Sequence, residues 1–286
     1  MASDSIVLRE AASGDTEELG RICYEAFRAI ALAHGFAPDF PDPGLATQVV
    51  GFLVEHPGFY GAVAEVDGRV VGSSFLDERS TIASVGPITI DPAAQDAGAG
   101  RALMERMLER GARFPGTRLL QVAYHNRSLS LYARLGFEVR EPCVTMQGPA
   151  VGETLPGHEI RAATEADLDA CNRLCFRVHG HDRSGELADA VEHGLASVVE
   201  REGRITGYST GVAFFGHSVG ESNSELKALI GAASAFGGPG FLVPARNGDL
   251  YRWCMSRGLR VVHVMNLMTV GLYNEPVGAY LPSVGY

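Results

Sequence analysis

The chain has 286 residues, enough for about two domains of ordinary size. Its hydrophobic fraction of 46% and charged fraction of 20% are those of a soluble globular protein able to bury a core in each half. Lys+Arg number 24 against Asp+Glu 34, and the net charge of -10 opposes a nucleic-acid binder, though not a local basic patch around one phosphorylated ligand. No apolar run approaches the ~20 residues of a membrane span. Met1–Ser5 lacks the basic and apolar regions of a signal peptide, so a cytoplasmic protein is expected. The five cysteines (Cys23, Cys143, Cys171, Cys175, Cys254) have neither disulfide-framework nor zinc spacing and read as small buried hydrophobes.

Ile6–Leu8 starts a first strand. Thr16 to about Ala33 carries helical apolar spacing (Leu19, Ile22, Cys23, Ala26, Phe27, Ile30), with Asp15 as N-cap. A Pro-rich loop, Ala37–Pro43, precedes a second helix over Leu45–Glu55. Tyr60–Val66 and Arg69–Leu76 flank Asp67-Gly68, a hairpin signal. A third strand, Ile82–Ile90, is followed by a helix over Gly98–Ala112 with Leu103, Met104, Met107 and Leu108 as its apolar stripe. Leu119–Ala123 is a strand, Ser128–Leu135 a short helix ended by Gly136, and Phe137–Val139 begins another strand. Pro142–Pro156 is rich in Pro and Gly and reads as one more strand, Val144–Met146, and a linker.

The second half then restarts. His158–Asp167 echoes Ile6–Asp15, Ser197–Tyr208 echoes Ala62–Ser73, and Gly248–Leu259 echoes Ser128–Phe137. Three echoes in one order indicate a duplicated domain. The expected organisation is residues 1–148, a linker at 149–157, and a second copy at 158–286.

The segment Gln95-Asp96-Ala97-Gly98-Ala99-Gly100-Arg101-Ala102 lies between a strand and a helix. A Gly-rich turn there exposes successive N–H groups at the positive end of a helix dipole, which suits a phosphate. Arg101 adds a cation. The Walker Gly-Lys-Ser/Thr is absent, and Leu103 stands where a dinucleotide fingerprint needs its third Gly. By spacing alone, anion binding and a tight strand–helix connection remain open alternatives.

Gln95-x-x-Gly98-x-Gly100 resembles the signature of the GNAT acyltransferase superfamily, and Asn126…Tyr132-x-x-x-Gly136-Phe137 is similar to its second motif; the likeness covers most of residues 5–147. The resemblance implies an α/β (α+β) fold of two tandem GNAT-like domains, each a mixed, centrally splayed sheet flanked by helices. It implies acetyl-CoA or another acyl-CoA as cofactor and a primary amine of a small molecule or peptide as acceptor, with a non-catalytic acyl-CoA-binding module as the alternative. Ile88, Thr89 and Ile90 would meet the pantetheine arm, residues 95–102 the pyrophosphate, and Asn126 and Ser130 would lie near the cofactor. Tyr132 would protonate the leaving thiolate. Glu25, His34, Asp77, Glu78 and His125 are candidate bases, with Glu25 on the acceptor-side helix. Monomer and homodimer stay open.

The second half lacks the Gly-rich turn; Glu221 and Glu225 there would repel a pyrophosphate. Tyr251 falls near the echo of Leu131 or Tyr132. His179-x-His181 is too little for a metal site, so none is expected. Asp182-Arg183 reads as a helix cap and surface pair, or Arg183 as a contact for an acidic acceptor group.

Overall fold

The computed structural model describes residues 6–95 and 98–285. The chain forms two compact units. The first comprises the chain up to Glu78, Ile82–Leu119 and Tyr124–Glu138; the second comprises Arg79–Thr81, Leu120–Ala123 and the chain from Val139 onward.

In the first unit, strands β1 (Ile6–Glu10), β2 (Phe59–Val66), β3 (Arg69–Asp77) and β4 (Ala83–Ile90) are antiparallel neighbours in that order, followed by β5 (Gly116–Val122), parallel to β4. Helices α1 (Thr16–Ala33) and α2 (Pro43–Glu55) cover one face. Leu19, Cys23, Ala46, Val50, Leu53, Val63 and Phe75 form the core between them and the sheet. At ~25 cal/mol per Å² of apolar surface buried, this layer supplies the main drive for the unit. Helix α3 (Ala99–Gly111) buries Leu103, Met104 and Met107. Helix α4 (Asn126–Arg134) follows β5.

Helix α2 begins two residues before the apolar period does: Pro43 occupies the first turn, where its missing N–H is not needed, and Asp42 accepts from Leu45 N at 3.0 Å. Asp15 sits at the N-cap position of α1 but does not cap it. Its carboxylate instead accepts from Ala12 N at 2.8 Å and takes a bidentate pair from Arg9 at 2.7 Å.

In the second unit, β6 (Glu138–Gln147), β11 (Phe241–Pro244) and β12 (Arg260–Gly271) form one sheet portion, ordered β12-β6-β11, with the end of β5 beside β12. Strands β7 (Glu159–Ala162), β8 (Ser197–Arg201), β9 (Arg204–Ser209), β10 (Ser218–Gly220) and β13 (Ala279–Leu281) form the other, in the order β13-β10-β9-β8-β7. Helices α5 (Leu168–His179) and α6 (Ser184–Glu192) pack on its β8–β10 side, and α7 (Asn223–Ala232) and α8 (Gly248–Ser256) join the core around Phe241 and Val243. Strand β6 runs straight through Pro142, where the sequence suggested a break: the strand's register with β11 starts only at Cys143, and Pro142 contributes its carbonyl to Ala245 N at 2.8 Å. The packing divides at β6, with Val139 onward in the second unit.

The duplication is visible in side-chain detail. Arg9 bonds Asp15 and Glu65, and Arg161 bonds Asp167 and Glu200, with the same offset of six residues to the aspartate. Each of the hairpins β2–β3 and β8–β9 carries a register shift before the same glutamate. Each turns through a positive-φ acidic residue and a glycine, Asp67-Gly68 and Glu202-Gly203.

Candidate functional site

The two parallel strands of the first unit are registered only at Ala83↔Thr117 and Ser84↔Arg118; beyond that they part. A bulge in β4 between its partners Ser74 and Leu76, at Gly86-Pro87, marks where the parting begins. Ile88 and Ile90 are half-buried on β4 and Thr89 is buried.

The gap leads to the Gly-rich turn. Asp91 caps the short turn Pro92–Ala94, accepting from Ala93 N at 2.8 Å, and Arg21 on α1 braces the same carboxylate at 3.0 Å. Asp96 and Ala97 lie outside the described residues. Gly98 has φ of 89° and ψ of -3°, a left-handed conformation that L side chains rarely adopt. The first helical bond of α3 is Ala102 N to Gly98 O at 3.1 Å, so the N–H groups of Ala99, Gly100 and Arg101 have no intrahelical acceptor, and among the described residues no side chain caps this end. Gly100 is less constrained: a Cβ there would meet Ile90 Cγ1 at 3.5 Å, an ordinary contact. Arg101 is exposed and pairs with Glu105 at 2.8 Å. Gln95 accepts from Arg127 at 3.4 Å.

Helix α4 places Tyr132 inward, buried against Phe137, with ring centroids 6.1 Å apart. Burial raises its phenol pKa above the usual value, and among the described residues its hydroxyl has no hydrogen-bond partner. Such a phenol stays protonated at neutral pH and is available as a donor. Asn126 and Ser130 are exposed one turn apart, and Ser130 donates to the Asn126 carbonyl at 2.8 Å.

The candidate bases separate in this structure. Glu25 is half-exposed and tied to Arg21, which also holds Glu18. Glu78 is held by Arg110 and Arg113. Asp77 ends β3. His34 stacks on Tyr124, and His125, with its pKa lowered by burial, follows next in the chain. A further acid, which the sequence did not single out, has a perturbed pKa. Asp39, in the Pro-rich loop, is pushed up to about 6 by burial, and among the described residues no cation or hydrogen-bond donor compensates it. The only signal for it in the sequence was an acid between Pro38 and Phe40-Pro41 in an otherwise apolar loop.

The second copy lacks all of this. Its turn after β10 enters α7 through Ser222, and Glu225 folds back to accept from Ser222 N at 2.9 Å while pairing with Arg201 at 3.0 Å. The helix start that would hold a phosphate is closed by its own carboxylate. The space between β10 and β11 is not open either: β13 pairs antiparallel with β10 from Ser218↔Leu281 to Gly220↔Ala279 and also lies against β11. The helix-ending bonds correct the position of the tyrosine's echo. Phe137 N bonds Tyr132 O, and Leu259 N bonds Cys254 O, so the counterpart of Tyr132 is buried Cys254 rather than Tyr251. Arg183 is not a surface residue. It is 3% exposed, bonded to Glu186 and to Ser283, and so is spent internally rather than offered to an acceptor. Asp182 precedes the N-cap position of α6, which is Arg183, and accepts from Ser184 N at 3.2 Å. All five cysteines are buried and free. Among the described residues no cluster of three metal-binding side chains occurs and no helix is long and apolar enough to cross a membrane.

A short parallel register and a glycine-led helix start are the features of this segment to set beside known proteins. Residues 57–139 match the acetyltransferase (GNAT) domain family. Over its whole length the chain shares the fold of an acetyltransferase candidate from Pyrococcus horikoshii, with TM-score 0.76 and 18% identity over 96% of this chain and 92% of that one. It also shares the fold of a GCN5-related N-acetyltransferase from Sphaerobacter thermophilus, with TM-score 0.62 and 16% identity over 94% and 96%. A tandem GNAT protein from the clavulanic acid biosynthesis pathway aligns with TM-score 0.56 and 13% identity over 93% and 98%. No curated protein sequence matches the chain.

Proposed function

We propose that the first copy binds one acyl-CoA and transfers its acyl group, acetyl by default, to a primary amine. The observation that carries this reading is the start of α3: Gly98 in the left-handed conformation and, among the described residues, no side chain capping the N–H groups of Ala99, Gly100 and Arg101, which suits an anion. Residues 95–102 would cradle the pyrophosphate, Ile88–Ile90 would pair with the pantetheine arm, and Asn126 and Ser130 would flank it. Amine attack on the thioester gives a tetrahedral intermediate, whose collapse is eased by a proton delivered to the departing sulfur. Tyr132, kept neutral by burial, is the donor in this scheme. Glu25, engaged by Arg21, is poorly placed to act as base.

Thermal shift with acetyl-CoA tests the binding half: the parent should gain in melting temperature, and Gly98→Val should not. An equal gain in both would overturn the cradle. Release of free thiol in the presence of amines tests the chemistry. Binding without release under all conditions would move the assignment to a non-catalytic acyl-CoA-binding module.

A further inference from the structure

The second unit holds a cavity of about 420 Å³ between the turn before α7, the end of β11 and the segment leading into β13. Glu221, Asn223, Arg246 and Asn247 line it with polar groups, and Pro244 and Pro276 with apolar ones. The volume is that of a small-molecule site. Asn223 opens α7 and Asn247 caps α8. Their amides bond reciprocally: Asn223 Nδ2 donates to Asn247 Oδ1 at 2.9 Å, and Asn247 Nδ2 donates to Asn223 Oδ1 at 2.8 Å. The pair ties the two helix starts together. It brings Glu221, two residues before Asn223, and Arg246, the neighbour of Asn247, to the same cavity.

Both charges keep bonding capacity. Glu221 Oε1 accepts from Arg204 at 2.6 Å and from Arg177 at 3.4 Å, while among the described residues its Oε2 takes no bond. Arg246 gives Nε to buried Glu141 at 2.6 Å and Nη1 to exposed Glu275, and its N–H donors outnumber these acceptors. Asn247 Nδ2 retains one N–H, and the two helix starts add their positive ends beside the asparagines. A ligand that satisfies this lining is an anion at Arg246 and Asn247 and a cation at Glu221. A second acyl-CoA does not fit it, since Glu221 opposes a phosphate and β13 fills the neighbouring gap.

We infer that this cavity binds a free α-amino acid with an aliphatic side chain. The carboxylate sits on Arg246 and Asn247, the ammonium on Glu221 Oε2, and the side chain against Pro244 and Pro276. The site belongs to the second unit alone and stands whether or not the first copy transfers an acyl group.

Calorimetry of the full chain at pH 7 with L-leucine, L-leucinamide and 4-methylpentanoate tests it. The three share one side chain; the amide lacks the carboxylate, and 4-methylpentanoate lacks the ammonium. Leucine should bind the parent about tenfold more tightly than either analogue, or better. Glu221→Gln, whose partners Arg177 and Arg204 are exposed, should weaken leucine about tenfold and bring it level with 4-methylpentanoate. Arg246→Lys keeps a charge beside Glu141 but loses the planar fork, and should also weaken leucine about tenfold. No binding of leucine by the parent, or analogues that bind as tightly as leucine, overturns the inference, and this comparison needs no variant to fold. Leucine affinity unchanged in Glu221→Gln or in Arg246→Lys overturns it as well.

Discussion

At the residue scale, Asp39 and Tyr132 show how burial tunes two acids in opposite service. Tyr132 is held neutral, and Tyr132→Phe should lower thiol release by roughly 10²-fold or more while leaving acetyl-CoA binding intact. An unchanged rate of release would remove the tyrosine from the chemistry. Asp39 is raised from 3.8 to about 6, so its protonated form is favoured in the folded state. The ionised form therefore weakens folding. The penalty is absent below pH about 4, grows as pH rises toward about 6, and is complete above it. Asp39→Asn should accordingly raise stability by about 1–2 kcal/mol at pH 8, with the advantage gone at pH 4, as read from urea melts. Cys23 and Tyr124, pushed up to about 12 chiefly by burial, stay neutral across this window, and His34 and His125 are common to both proteins. A carboxylate with only a structural role would give a loss of stability at pH 8.

At the element scale, the two helix starts, α3 and α7, are the same piece of fold put to different uses. Gly98→Ala forces a left-handed alanine and should cost roughly 1–2 kcal/mol, whereas Gly100→Ala, whose Cβ meets only an ordinary contact, should be nearly neutral in stability. Urea melts of the two variants separate the glycine that shapes the turn from the one that leaves room. At α7, Glu225→Ala removes a capping box and should cost about 1–2 kcal/mol without creating a second acyl-CoA site, since β13 still occupies the neighbouring gap. A calorimetric stoichiometry of two acetyl-CoA molecules per chain would contradict this.

These elements also show what could be read in advance. Strand–turn–helix order, the Asp67-Gly68 hairpin and the duplication are local patterns, fixed by period and turn chemistry, and they stand in the sequence. The start of α2 was obscured because Pro43 looks like a loop residue unless its place in the first turn is known. The counterpart of Tyr132 was misplaced by three residues because Tyr251 draws the eye, while the register is set by backbone bonds that end the helix. Asp39 was invisible because its character comes from burial in the folded chain, and no local pattern encodes that.

At the scale of the whole molecule, the repeat gives one open copy and one closed copy. Shared parts are structural: the Arg9–Asp15–Glu65 and Arg161–Asp167–Glu200 networks lock the first strand of each copy to its hairpin and first helical turn. The parts that differ are those the ligand would touch: the glycine turn, the tyrosine and the gap.

The last of these differences has a thermodynamic consequence. In the closed copy, β13 is a covalently attached occupant, present at an effective concentration set by its tether and independent of the cell's supply. In the open copy the occupant must come from solution, and its contribution grows as RT ln(1 + [L]/Kd), about 2.7 kcal/mol at a hundredfold excess over Kd. The open copy alone should therefore report on the acyl-CoA pool. In hydrogen-exchange measurements, amides of β3, β4 and α3 should gain protection as acetyl-CoA is added, while those of β9, β10 and α7 should exchange at the same rate throughout the titration.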